Sequence, residues 1–186
     1  ESAYLGVVET ALTRMRGTVV TLLDYSRKGP LLPSRVAVTT AIEDALSLLS
    51  SMFKSAGVLV DNRVQDAALM VVADKSRLQQ ALTNVLMNAL HAAGEGGTVI
   101  LTTQRKRGCI GIVVSDDGPG ISAEDLDKVC DPFYTTKPVG VGTGLGLAIT
   151  LRILRDHGGD LDIDSSMGEG TTVTLWLPSD EESDSC

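Results

Sequence analysis

Leu5, Val8, Leu12, Met15, Val19 and Leu22 follow one another at steps of 3, 4, 3, 4 and 3, the heptad rhythm of a coiled coil or helical bundle. Such spacing serves either a seam between two molecules or one amphipathic helix lying on its own domain. The stretch "DYSRKGPLLP" breaks that helix with Gly29, Pro30 and Pro33 and reads as a linker. After Pro33 the pattern becomes mixed. "RVAV" is a short strand, and "TTAIEDALSLLSSMFKSAG" is a helix with Thr39 or Thr40 as its cap and Gly57 at its end. "VLVDNRV" and "LMVVAD" read as strands. "DKSRLQQALTNVLMNALHAAGEGG" is a strong helix opened by Asp74 and closed by Gly94. "TVILTTQRKRGCIGIVVSDDG" reads as two strands joined by the basic turn "RKRG". A short helix at "SAEDLDKV", a helix over 145–156 and a last hairpin, "DLDIDSSMGEGTTVTLWLP", complete the pattern. Strands and helices intermix without βαβ alternation, so the expected class is α+β, a two-layer sandwich with helices on one face of a mixed sheet. The expected organisation is a helix over 1–28, a linker over 29–33, one domain over 34–180 and an acidic tail over 181–186.

Length and charge narrow the function classes. A chain of 186 residues suits one ordinary domain with an attachment. It carries no apolar run long enough to span a bilayer. It opens on the polar "ESAYLG" without Met, so a piece of a longer protein with no secretory leader is expected. Cys109, Cys130 and Cys186 are far apart and form no CxxC, which points to reduced thiols in a cytoplasmic setting and away from a zinc site. The net charge of −8 disfavours nucleic acid as a partner. A bound phosphate would have to be held by local geometry, and backbone amides can supply it.

Three places carry candidate chemistry. On the long helix, Asn84, Asn88 and His91 fall at i, i+4 and i+7, with Arg77 one heptad back on the same stripe. Asn is a mediocre helix former. The stripe is either a solvated face or a set of hard amide oxygens suited to Mg²⁺, an ion that leans on phosphates and waters for its remaining ligands. At the end of an apolar strand, "SDDGPGI" is either a plain tight turn or a turn that sets Asp116 to accept a hydrogen bond from a ligand amine, with Asp117 facing outward. Finally, "DPFYTTKPVGVGTGLGLAI" places Gly140, Gly142, Gly144 and Gly146 at alternate positions just before a helix. Glycines there let the backbone approach a phosphate, and the helix start adds free N–H groups. The stretch has no GxxxxGK[ST] and is not fed by a strand, so neither a P-loop nor a dinucleotide fingerprint fits. A flexible lid and a phosphate clamp both fit, and they are compatible.

In this order and spacing, these segments resemble the ATP-binding domain of sensor histidine kinases, within the gyrase, chaperone, histidine kinase and MutL superfamily. "NVLMNAL" is similar to that family's N box, "DDGPGI" to its first glycine box and "DPFYTTK" to its F box, while "GVGTGLGLAI" is similar to its second glycine box and "GEGTTVTLWLP" to its closing strand. The resemblance spans about residues 34–178, and the wording of "FYTTK…GTGLGLAI" is most like kinases of the nitrogen-regulation type. It implies a Bergerat-type ATP-binding fold, with ATP and Mg²⁺ bound.

Carried over residue by residue, the resemblance implies that Asn88 holds Mg²⁺ and Asn84 supports the phosphates. Asp116 would accept the adenine amino hydrogen, flanked by Gly118 and Gly120, and Thr171 would assist through a water. A guanine would present an oxygen to Asp116 and leave two acceptors facing each other. Gly142, Thr143, Gly144 and Gly146, with the amides of Leu145 and Leu147, would wrap the phosphates. A lid over 122–141 would carry Phe133 as its anchor, Thr136, and Lys137 reaching toward the γ-phosphate. His91 stands where the family often has Lys or Arg, which makes a phosphate contact there weaker or pH-dependent.

The implied activity is transfer of the ATP γ-phosphoryl to a histidine on a dimerisation helix, then relay to a response regulator receiver domain. The implied state of the whole protein is a homodimer, and no membrane contact is expected of this piece. Neither His91 nor His157 lies in an acceptor's context, and the seam helix ending "LLDYSR" resembles the second helix of the dimerisation hairpin. The first helix, with its histidine, is expected to be missing, so this piece alone is not expected to autophosphorylate. The alternatives are an ATP-gated conformational ATPase and a non-catalytic nucleotide-sensing module. The former needs a catalytic Glu one turn before the Mg-binding Asn, where this chain reads "TNVLMN".

Overall fold

The computed structural model describes residues 30–106, 108–137 and 142–180. The expected N-terminal helix and the acidic tail lie outside the described residues. Strand β1 (Ser34–Ala37) leads directly into helix α1 (Val38–Ala56), followed by β2 (Leu59–Asn62) and β3 (Met70–Ala73). Helix α2 (Lys75–Ala93), strands β4 (Thr98–Lys106) and β5 (Cys109–Asp116), and the short helix α3 (Ala123–Leu126) come next. Helix α4 (Gly146–Asp156) and the hairpin β6 (Asp160–Ser166) and β7 (Gly170–Pro178) close the domain.

Five strands form one mixed sheet in the order β2-β4-β5-β7-β6, with β2 parallel to β4 and the remaining pairs antiparallel. This is the α+β sandwich expected from the pattern. The strands "RVAV" and "LMVVAD" do not join that sheet. They pair with each other as the antiparallel ribbon β1-β3, which a bridge from Val71 to Ser179 fastens to the end of β7. Alternate residues of the main sheet (Leu101, Ile112, Val114, Leu175) share one buried cluster with Leu82 and Leu86 of α2 and Leu154 of α4. The period of two along the strands and of about 3.6 along the helices therefore meet in a single apolar layer. On the other face Gly111 leaves room for the Trp176 ring, since a Cβ there would lie 2.8 Å from Cζ3. The Trp176 indole N–H donates to Asp162 at 2.7 Å, and the Lys106 ammonium lies 5.3 Å from the ring centroid.

One expectation is corrected. Helix α1 starts at Val38 with Ala37 in the cap position and no side-chain cap, so Thr39 and Thr40 lie inside its first turn. The strand runs straight into the helix, and tertiary burial of Val38, Ala41 and Ile42 sets the boundary that a cap residue would otherwise mark. Gly57 does end α1, in the left-handed conformation at φ 66°. Among the described cysteines, Cys130 is a free thiol.

Helix α2 has the predicted start. The Asp74 carboxylate accepts from the amides of Ser76 at 3.0 Å and Arg77 at 3.2 Å and from the Ser76 hydroxyl at 2.7 Å. These bonds satisfy orphan donors of the first turn. The Asp74 amide donates to Nε2 of His157 at 2.9 Å, and Nδ1 of His157 donates to the Ile153 carbonyl at 2.7 Å. His157 thus rivets the end of α4 to the start of α2, a structural role. The Ser76 hydroxyl foremost, together with the backbone amides, holds the Asp74 carboxyl at about 2 against an ordinary 3.8. A carboxylate held lower in the folded state stabilises the fold above its unfolded pKa and loses that contribution as pH falls through the folded value. Asp74→Ala is therefore expected to cost about 1 kcal/mol at neutral pH. The deficit should shrink between about pH 4 and pH 2, as measured by urea unfolding of both proteins. A constant deficit across that window would remove the cap assignment.

Candidate nucleotide-binding site

Helix α2 presents Asn84 and Asn88 half-buried, toward the start of α4, and not on a solvated face. The Asn84 side-chain amide donates to the Gly146 carbonyl at 3.2 Å. A methyl group on Gly146 would lie 3.9 Å from Asn84 Cγ and 4.0 Å from Asn88 Nδ2, so both asparagines stand against the first residue of α4. That helix begins without a side-chain cap. Its N-terminal amides and the positive end of its dipole consequently remain available to an anion. The Leu145 side chain is fully buried and anchors this end in the core, while Leu147 is half-buried. The Thr143 hydroxyl, on an exposed residue, accepts from the Leu145 amide at 3.4 Å.

Gly144 has a left-handed backbone at φ 65°, and a Cβ there would lie 2.4 Å from the Phe133 carbonyl carbon. The Phe133 amide donates to the Gly144 carbonyl at 2.8 Å. Phe133 itself takes φ 70°, the one non-glycine residue with positive φ among those described. Its ring is 60% exposed. Phe133 is therefore tied to Gly144 through its backbone, while its side chain stays exposed. The hydroxyl of neighbouring Tyr134 donates to Asp125 at 2.5 Å, a tie to the short helix α3 that no sequence pattern marked. Thr136 is exposed. Gly142 lies close to the segment 135–137, since a Cβ there would meet Thr135 Oγ1 at 2.8 Å and Lys137 Cδ at 3.3 Å.

Lys137 and His91 meet at 3.4 Å between Nζ and Nδ1. Burial lowers the pKa of both, and for His91 the Lys137 charge adds to the effect. Two basic groups whose charged forms are disfavoured in this way would gain from an anion placed beside them.

Across the sheet, the backbone registers pair Val99 with Asp116, Asp116 with Thr171, and Thr171 with Ser165. Asp116 and Thr171 are thereby cross-strand neighbours on the helix-facing side of the sheet. Asp116 is half-buried and accepts from the Gly118 amide at 3.0 Å. Burial foremost pushes its carboxyl above the ordinary range, against the opposing pull of the Gly118 and Thr171 amides. Asp117 is exposed, as expected, and its carboxylate accepts from the Thr98 amide at 2.8 Å. Gly118 lets the turn pass close under the end of α2, where a Cβ would sit 2.6 Å from the Ala92 carbonyl oxygen. Gly120, at φ 73°, lets the same turn touch the β6–β7 hairpin. No cluster of three His, Cys, Asp or Glu suited to a metal occurs among the described residues.

The family model described as histidine kinase-, DNA gyrase B-, and HSP90-like ATPase matches residues 73–181. The sensor histidine kinase ZraS of Escherichia coli (strain K12) is 36% identical over 165 residues, covering 89% of this chain and 35% of its own length. The chain spans about a third of the length of the curated relatives it matches. Among solved structures, the catalytic domain of histidine kinase ThkA in a nucleotide-free form superposes with a TM-score of 0.71 at 28% identity, covering 79% of this chain and 95% of that one. ThkA in complex with the response regulator protein TrrA gives a TM-score of 0.80 at 26% identity, covering 97% and 52%. No helix among the described residues is long and apolar enough to cross a membrane. The site geometry and these likenesses agree: the chain belongs to the histidine kinase-, DNA gyrase B- and HSP90-like ATPase family, as a histidine kinase ATP-binding catalytic domain.

Proposed function

We propose that this chain binds Mg-ATP between α2, the Asp116–Gly120 turn and the start of α4, and donates the γ-phosphoryl to a histidine on a dimerisation helix. The observation that carries this reading is the uncapped N-terminus of α4, flanked by Asn84 and Asn88 in a chain of net charge −8. An acidic protein that leaves a helix start open beside two asparagines favours a polyanion carrying its own cation, for which an amide oxygen is a hard ligand. Mg²⁺, held by Asn88 with Asn84 beside it, would neutralise charge on the phosphates. Gly142, Thr143, Gly144 and the amides of Leu145, Gly146 and Leu147 would surround the phosphate chain. Lys137 and His91 would turn toward it as the lid closes over the pocket, bringing Phe133 and Thr136 along. Asp116, between Gly118 and Gly120, would take a hydrogen from the adenine amino group, and Thr171 would complete the base site.

In the transfer step an imidazole nitrogen of the acceptor histidine forms a bond to the γ-phosphorus. The bond from that phosphorus to the bridging oxygen breaks, and ADP leaves with the electron pair. Positioning and charge neutralisation supply the catalysis. Both ring nitrogens of His157 are committed within the fold and His91 sits against Lys137, which supports an acceptor histidine supplied from elsewhere. The heptad segment 1–28 would be the second helix of the dimerisation hairpin, joined by the linker 29–33 to the domain 34–180, with 181–186 as a tail. A response regulator receiver domain would take the phosphoryl next, as the ThkA complex with TrrA supports. The protein would act in the cytoplasm as a homodimer. Conformational ATPase activity is disfavoured because α2 contains no acidic residue to activate water, and Asp74 is engaged as its cap.

Isothermal titration with ADP and a non-hydrolysable ATP analogue, with and without Mg²⁺ and with GTP as control, tests the reading. Adenine-selective binding that tightens with Mg²⁺ is expected; no binding of either nucleotide would overturn it. Asn88→Ala is expected to abolish the Mg²⁺ dependence, and a variant that still responds to Mg²⁺ would remove the role given to Asn88.

A further inference from the structure

Beside the base site proposed above lies a hydroxyl, Ser165, that neither the motifs nor the family likeness singles out. Its place follows from the register, which sets Asp116, Thr171 and Ser165 in one row across β5, β7 and β6. Its hydrogen bonds can be counted. Ser165 Oγ accepts from the Ile121 amide at 2.9 Å and donates to the Gly170 carbonyl at 2.8 Å. It also lies 3.0 Å from Thr171 Oγ1. A serine hydroxyl has one proton, and a buried carbonyl needs a donor. With the Ser165 proton spent on Gly170, the contact with Thr171 is a hydrogen bond only if Thr171 donates. The Thr171 hydroxyl then shows lone pairs alone to a ligand.

We infer that Ser165 is a specificity-determining positioning residue of the base site, holding Thr171 as an acceptor so that Thr171 and Asp116 together select a base edge that brings donors. This inference rests on the nucleotide-binding reading and deepens it. An exocyclic amino group meets such a pair favourably. A 6-oxo group meets two sets of lone pairs, and Thr171 cannot turn to help it while Ser165 holds the proton. Removing the serine hydroxyl frees that proton, and Thr171 can then donate to the oxo group.

The experiment compares the affinities for ADP and IDP, which differ at the 6-position and at the N1 proton that follows from it. In Ser165→Ala the ADP-to-IDP affinity ratio is expected to fall about fivefold, the worth of one neutral hydrogen bond. Thr171→Val, which removes the hydroxyl at constant shape, is expected to lower the ratio similarly. Adding Ser165→Ala to Thr171→Val should change the ratio no further, because Ser165 acts through Thr171. Ser165→Thr, which keeps a hydroxyl, should retain the native ratio. A merely structural role would weaken both nucleotides alike and leave the ratio untouched; that result, or a further drop in the double variant, overturns the inference. Should Ser165→Ala not fold, an unchanged ratio in Thr171→Val overturns it as well. If the unaltered protein binds neither nucleotide, the nucleotide-binding reading itself fails, an outcome distinct from binding with an unmoved ratio.

Discussion

Asp116→Asn is expected to weaken ADP binding by on the order of 1–3 kcal/mol, the cost of leaving a buried polar group without a partner. The carboxylate has two oxygens, and one of them serves the Gly118 amide at 3.0 Å. Asparagine offers a single acceptor oxygen. If that oxygen stays with Gly118, the side-chain NH₂ faces the adenine amino group, donor against donor. If it turns to the base, the Gly118 amide loses its partner in a turn that packs tightly under α2. Either way one hydrogen bond is lost. Stability should not fall with affinity, because burial already disfavours the Asp116 charge and the neutral amide removes that cost. Titration with ADP, alongside thermal unfolding, separates the two effects. Unchanged affinity would remove Asp116 from the base site.

The raised pKa of Asp116 also has a sign for binding. The group that accepts from the ligand is the ionised one. Affinity for ADP should therefore decline on acidification, starting at a higher pH than an ordinary carboxylate would dictate. Asp116→Asn should flatten that limb. A native acid limb that survives in the variant would assign the titration to another group.

Gly120→Ala is expected to destabilise the domain by about 3 kcal/mol or more, combining a left-handed backbone with a steric collision. The built Cβ would lie 2.0 Å from the Ser166 carbonyl oxygen, so something in the backbone must move. Gly168 supplies the control. Its φ is 84°, near the 73° of Gly120, yet a Cβ there meets nothing within 4 Å. Gly168→Ala should cost only about 1 kcal/mol, the conformational share. For a domain of this size the first change should lower Tm by about 6–12 °C. The second should lower it by a few degrees. Equal shifts for the two variants would mean that the contact between the turn and the β6–β7 hairpin relaxes freely. The consequence reaches the site, because Gly120 seats the turn that carries Asp116 against the hairpin that carries Thr171.

Much of the architecture was legible because it rests on local periodicity. The span of α2 followed from its apolar spacing between Asp74 and Gly94, and both ends are where those residues put them. The strands of the β4–β5 and β6–β7 hairpins followed from strand-like runs separated by turn residues. The start of α1 was misread, because Thr39 and Thr40 have capping chemistry while the helix boundary is decided by what Val38 packs against. The separate β1-β3 ribbon was invisible for a similar reason: a strand's sequence states that it will pair, and its partner is a matter of chain path.

The candidate site divides along the same line. The asparagine stripe, the acidic turn and the glycine run are each local, and their residues could be named from spacing alone. The sequence by itself determined which side chains are available and that α4 would start after glycine. Only the tertiary structure decided that Asn84 bonds to the first residue of α4, that Lys137 rests on His91, and that Phe133 is held by its amide while its ring stays exposed. Only the strand register decided that Ser165 stands beside Thr171 and Thr171 beside Asp116. The physical reason is range: periodicity and capping act within a few residues, whereas a shared proton or a backbone collision depends on which distant segments the folded core brings to within 3 Å.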